Sequence, residues 1–133
     1  MIALVAGVTC RAMALVSILV ANLFVFVLRF TVQMVSFWAD NVWSLNVMLR
    51  FLMEFLGGLM LPLSLFPERV QQILHATPFP YLFYVPVTVL LGRVDAAAWL
   101  HGLGVTLAWT AVAALLARWV WARGNRVYTG VGI

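Results

Sequence analysis

Arg29 and Glu54 are charges set within apolar runs of this 133-residue sequence. If the polar segment around Asn41 is a turn, Arg29 lies 12 residues before it and Glu54 lies 13 after it. An antiparallel helix pair would then bring them to similar depth, as an intramembrane ion pair. Pairing lowers the cost of holding either charge away from water. Such a pair either locks two helices together or contributes to a pathway for a polar solute. Arg50 competes for the same carboxylate, because it sits four residues before Glu54 on one helix face. His75 and His101 invite metal or proton chemistry, and with Glu54 they would be the kernel of an intramembrane enzyme. They are far apart in the chain, with no second pair of ligands at a recognisable metal-site spacing. An interfacial His75 and a helix-packing or water-facing His101 fit the pattern better. The single cysteine, Cys10, excludes an internal disulfide and a cysteine-rich metal site. There is no Gly-Lys-Ser/Thr phosphate loop and no serine or cysteine nucleophile motif. No catalytic, cofactor-binding or metal-ligating residue is therefore assigned.

These charges stand in a chain that is 65% hydrophobic and 9% charged. A soluble domain carries about 45–50% apolar and about 25% charged residues, so the natural solvent here is a lipid bilayer. All eight basic residues are arginine. The net charge of +4 is scattered along apolar runs, and no basic patch is interleaved with aromatics, which argues against nucleic acid as a partner. The start lacks the basic region of a signal peptide, so the first span is expected to be retained.

The expected architecture is all-α: three transmembrane helices, an amphipathic helix and a re-entrant helical segment, in one membrane domain over 1–133. The spans are expected at about 11–37, 45–66 and 96–121, each near the roughly 20 residues a crossing needs. Residues 1–10 either extend the first helix or are the stub of a preceding element. Asn22, Arg29, Thr31 and Gln33 should face protein rather than lipid. Asp40-Asn41 predicts a turn or cap, and Trp38 and Trp43 suit the headgroup level. Gly57-Gly58 should loosen the second helix, Pro62 should bend it and Pro67 should open the next one. Val70, Ile73 and Leu74 share a face of that short helix, an interfacial candidate. Pro78, Pro80 and Pro86 then break an apolar piece too short to cross untilted. The last span carries Ala98, Gly102, Thr106, Thr110 and Ala114 at four-residue spacing, a small-residue face for close packing. Five arginines on one side (Arg29, Arg50, Arg118, Arg123, Arg126) against three (Arg11, Arg69, Arg93) place the C-terminus in the cytoplasm and 67–95 outside.

Several stretches resemble permeases of type-2 ABC transporters, in that family's order. They are Ser36-Phe37-Trp38-Ala39, Leu52 to Glu68 with its Gly57-Gly58-Leu59-Met60-Leu61-Pro62 core, Thr77 to Pro86, Leu91-Gly92-Arg93, and Trp121 to Tyr128. The resemblance is to a bacterial ABC-type transport system permease component and covers about three-quarters of the chain. It corresponds to the C-terminal half of a six-span permease, with the outer re-entrant segment between the last two spans. The resemblance implies an inner-membrane, multi-pass exporter subunit that forms part of a translocation path. Its partners would be a second permease copy or homologous permease and an ABC ATPase subunit. ATP would be bound by that partner, with no cofactor in this chain. It also implies an outer gate region at Gly57, Gly58, Pro62, Pro67, Pro78, Pro80 and Pro86. The alternative is a small helical membrane scaffold or pore-forming protein without an ATPase.

Overall fold

The computed structural model describes residues 2–127, with side chains over 7–126. The helices are α1 (Ile2–Gln33), α2 (Trp43–Leu56), α3 (Glu68–His75), α4 (Pro80–Leu90) and α5 (Ala96–Val127). Short 3₁₀ turns lie at Met34–Phe37 and Leu63–Leu65, and no strand occurs among the described residues. The segment before Arg11 extends the first helix instead of forming a stub.

α1 and α5 each run 32 residues, about 48 Å at 1.5 Å per residue. Each contains an apolar window long enough to cross a membrane. Their direction follows from side-chain contacts. Trp99 reaches Ser17, Thr31 reaches the carbonyl of Ala113, and the Phe37 ring meets Trp121. Numbers rise together on both helices, so α1 and α5 are parallel. The intervening chain must return to the end where both helices begin, here termed the head end.

The seam between them is built from small and interlocking residues. On α1 the buried positions are Ala14, Ser17, Ala21 and Phe24, and Met34 follows in the 3₁₀ turn. On α5 the buried positions are Gly102, which packs on Tyr81 of α4, then Thr106, Thr110, Ala113 and Ala117, and Gly124, which packs on Phe37. The α5 spacings are four, four, three, four and seven, so a three-residue step interrupts the run of fours and keeps the buried positions on one side. A strict four-residue stripe drifts off such a seam. Accordingly Gly102, Thr106 and Thr110 of the expected face are buried, while Ala98 is exposed and Ala114 only half-buried. The difference is geometric: at 3.6 residues per turn, every fourth residue rotates away from a fixed partner.

Five polar side chains of these helices are satisfied within their own helix. The hydroxyls of Ser17, Thr31, Thr106 and Thr110 each donate to a carbonyl four residues back, as does the Asn22 carboxamide. This satisfies donors that would be expensive to leave bare in hydrocarbon. Asn22, Arg29 and Gln33 nevertheless face outward, and Thr31 is half-buried. Of that expected set, Thr31 also hydrogen-bonds to another element, at the carbonyl of Ala113.

Two helix ends decide the middle of the chain. α2 has 14 residues, about 21 Å, so it is shorter than the 45–66 span expected. It stops because Gly58 adopts φ +81°, a conformation closed to side chains with a Cβ, and the N–H of Leu59 caps the carbonyl of Glu54. α4 ends the same way, with Gly92 at φ +66° and the N–H of Arg93 on the carbonyl of Thr88. Asp95 then opens α5 by accepting the N–H of Ala98. Asn41 accepts the N–H of Trp43 ahead of α2.

α3 and α4 form a pair bent by 93°. α4 runs antiparallel to α1: Phe79 lies beside Phe24 and Leu28, and Leu90 beside Arg11. Two helices, α1 and α5, can cross a membrane alone, and the bent pair is either a broken crossing or a re-entrant element.

Candidate functional site

The corner between α3 and α4 sits halfway along the bundle. Pro78 and Phe79 lie among Phe24 and Leu28 of α1 and Trp109, Ala113 and Leu116 of α5. The indole N–H of Trp109 donates to the carbonyl of Ala76 over 2.9 Å. Trp109 is the fourteenth residue of α5, which begins at Ala96. The corner is therefore about 20 Å below the helix start at 1.5 Å per residue. α3 was expected as a surface helix. Its C-terminal end lies at this level of α5, held by the Trp109 bond and by the Tyr81 hydroxyl donating to the carbonyl of His75.

α3 remains polar at this depth. It buries Leu74 and half-buries Gln71, whose amide donates to the carbonyl of Phe66. Glu68, Arg69, Gln72 and His75 are exposed, as are Val70 and Ile73. α3 itself is exposed along most of its length, and a short helix with charged residues cannot face lipid cheaply. Polar or irregular backbone at such depth survives where protein or a watery cavity surrounds it.

The core holds this corner in place. Ala21, Phe24, Met53, Leu82 and Ala113 form one buried cluster drawn from α1, α2, α4 and α5. Above it, Gly57 is buried against α4: a Cβ there would meet the Phe83 ring at 2.6 Å and the Phe79 carbonyl at 3.1 Å. Gly58 lies over Leu63 and Tyr84. The proline positions divide by role. Pro62 is extended (ψ 135°) and ends the excursion after α2. Pro67 is the residue before α3 and not its first residue; its carbonyl accepts the N–H groups of Val70 and Gln71. Pro78 is buried in the corner, and Pro80 opens α4. Pro86 lies inside α4, which stays helical through it. The expected break there does not occur, because α4 is packed along α1 and the missing N–H touches a single bond.

The expected Arg29–Glu54 pair does not form. Glu54 Oε1 accepts from Arg50 Nε at 2.7 Å, four residues away on the same helix. Arg29 is exposed and has no ion-pair partner among the described residues. Matched depth was correct as arithmetic but says nothing of azimuth, and the intrahelical partner is nearer. His75 and His101 are both exposed and on different helices. Sequence reasoning missed Tyr81, Trp99 and Trp109, whose polar tips tie the corner and both long helices together. An aromatic with a donor, flanked by proline or facing a small-residue seam, was the available signal.

Long apolar helices around a bent, proline-rich corner define a helical membrane protein. A family model described as an ABC-2 family transporter protein matches residues 3–132, and the chain belongs to that family. It is thus a membrane component of an ABC transporter, of a family whose permeases work with an ABC ATPase. Comparison with curated proteins and with solved structures gave no match.

Proposed function

We propose that this chain forms part of the translocation path of an ABC exporter, driven by a separate ATPase subunit that binds the ATP. The observation that carries this reading is α3, a charged helix held at mid-height with its polar residues exposed. In a transporter such a helix belongs against a water-filled path. The corner would then close the path toward the head end and yield at Gly57-Gly58, where backbone conformational freedom is greatest.

In this reading the chain crosses three times. α1 and α5 cross whole, and their parallel direction requires one return crossing. α2 supplies the greater part of it and the non-helical residues after Leu56 complete it. α3 lies across the foot of α4, and α4 rises from mid-depth to the head end, so that 67–92 form an outer re-entrant element. The arginine count puts the head end outside and the C-terminus in the cytoplasm of a bacterial inner-membrane protein; residues 128–133 lie outside the described residues. A second permease copy, or a homologous permease, supplies the opposite wall. Affinity purification of the tagged chain from its native membrane tests the reading. Recovery of an ATPase carrying a phosphate loop is expected, and ATP hydrolysis should rise on reconstitution with the chain. Recovery of the chain without any ATPase under mild detergent would count against it.

A further inference from the structure

A groove about 600 Å³ in volume runs along the head-end half of α1. Its walls are Leu15 and Ile18 of α1, Leu59 after α2, and Phe83, Val87 and Leu90 of α4. Arg11 stands at the head end of the groove and Asn22 at its deep end. Arg11 is exposed and has no hydrogen-bond or ion-pair partner among the described residues. Asn22 has already committed its amide to the carbonyl of Ile18. A second groove, on the other flank of α4, shares Leu59, Phe83 and Val87 with the first and has Arg93 among its lining residues. Arg93 is also exposed, and its side chain has no partner among the described residues.

We infer that the α1–α4 groove seats an acyl chain of an anionic phospholipid, with the phosphate on the Arg11 guanidinium. Three features select this occupant. The trough is apolar and opens sideways, with Leu15, Val87 and Leu90 all more than half exposed. Its length from Arg11 to Asn22 is eleven residues of α1, about 16 Å, which is close to half of the roughly 30 Å hydrocarbon core. Its single formal charge stands where a headgroup would lie, and it is positive. One cationic end and one leaflet-deep apolar trough complement a phospholipid. Arg93 is placed to add a second contact to the same headgroup, with the adjoining groove open to the other chain. The site is separate from the exposed face of α3 and does not depend on the transport reading.

The test uses the chain purified with whatever partners accompany it and exchanged into phosphatidylglycerol or phosphatidylcholine nanodiscs. Lipid retained after mild detergent extraction is counted by native mass spectrometry. The wild type should retain phosphatidylglycerol over phosphatidylcholine by about fivefold, the factor equivalent to about 1 kcal/mol per basic residue near a membrane surface. Arg11→Gln should lower phosphatidylglycerol retention most of the way to the phosphatidylcholine level, Arg93 keeping a remainder, and Arg11→Lys should keep most of the preference. Val87→Trp fills the trough without touching the core, and should lower retention of both lipids. Equal retention of the two lipids by the wild type, or retention indifferent to Arg11→Gln and Val87→Trp, overturns the inference. So does a Val87→Cys variant that cross-links efficiently to another polypeptide, which would make the occupant a protein.

Discussion

The indole N–H of Trp99 donates to the hydroxyl of Ser17 over 2.8 Å, across 82 positions of sequence. Thr31 and Ala113 meet at the same offset of 82. The two contacts together hold α1 and α5 parallel and in register. Ser17→Ala removes the acceptor and leaves a half-buried indole N–H without one, at a cost of about 1–3 kcal/mol. Thermal unfolding in detergent should show this loss. Ser17→Ala and Trp99→Phe should also couple in a double-mutant cycle; strict additivity would mean that the bond does not hold the helices.

The seam of α5 gives a second prediction. A Cβ at Gly102 would meet the Tyr81 ring at 2.8 Å, and one at Gly124 would collide with the Phe37 ring. Ala113 is 4% exposed in the same seam, whereas Ala108 faces outward. Gly102→Leu and Ala113→Leu should therefore destabilise by about 1–3 kcal/mol or more through overpacking, and Ala108→Leu should be tolerated. The readout is monodisperse yield and melting temperature. Equal effects at all three positions would contradict the packing of Gly102 on α4 and of Ala113 on α1.

The charges give a third. Arg50 and Glu54 should couple, weakly, because the arginine is largely solvent-exposed. Arg29→Gln should be additive with Glu54→Gln in melting temperature. A coupling between Arg29 and Glu54 larger than that between Arg50 and Glu54 would contradict the observed pairing.

Much of this architecture was legible in the residues, and the failures have physical causes. Hydropathy marks α1 and α5. Pro67, Pro78 and Gly92 punctuate the middle correctly. The early end of α2 was hidden, since Leu59 to Phe66 is as apolar as the helix before it and only the backbone of Gly58 records the turn. The facing direction of Arg29 was hidden for a similar reason: depth can be counted from a turn, but azimuth depends on which neighbours a helix finds. The height of α3 was beyond sequence, because its amphipathicity is equally consistent with a membrane surface and a polar cavity. Trp109 and Tyr81 decide between heights by bonding to backbone carbonyls far away or across a bend.

The central claim, that the polar face of α3 lines a watery path at mid-depth, is tested most directly by cysteine labelling in intact cells. Single cysteines are placed in a Cys10→Ser background by Gln72→Cys, Asp95→Cys, Leu115→Cys and Asn125→Cys. An impermeant thiol reagent added outside should label Gln72→Cys and Asp95→Cys. Asn125→Cys should react only after permeabilisation, and Leu115→Cys, on an apolar outward face of α5, should stay unlabelled. Protection of Gln72→Cys to the level of Leu115→Cys, or labelling of positions 72 and 95 from opposite sides, would contradict the account.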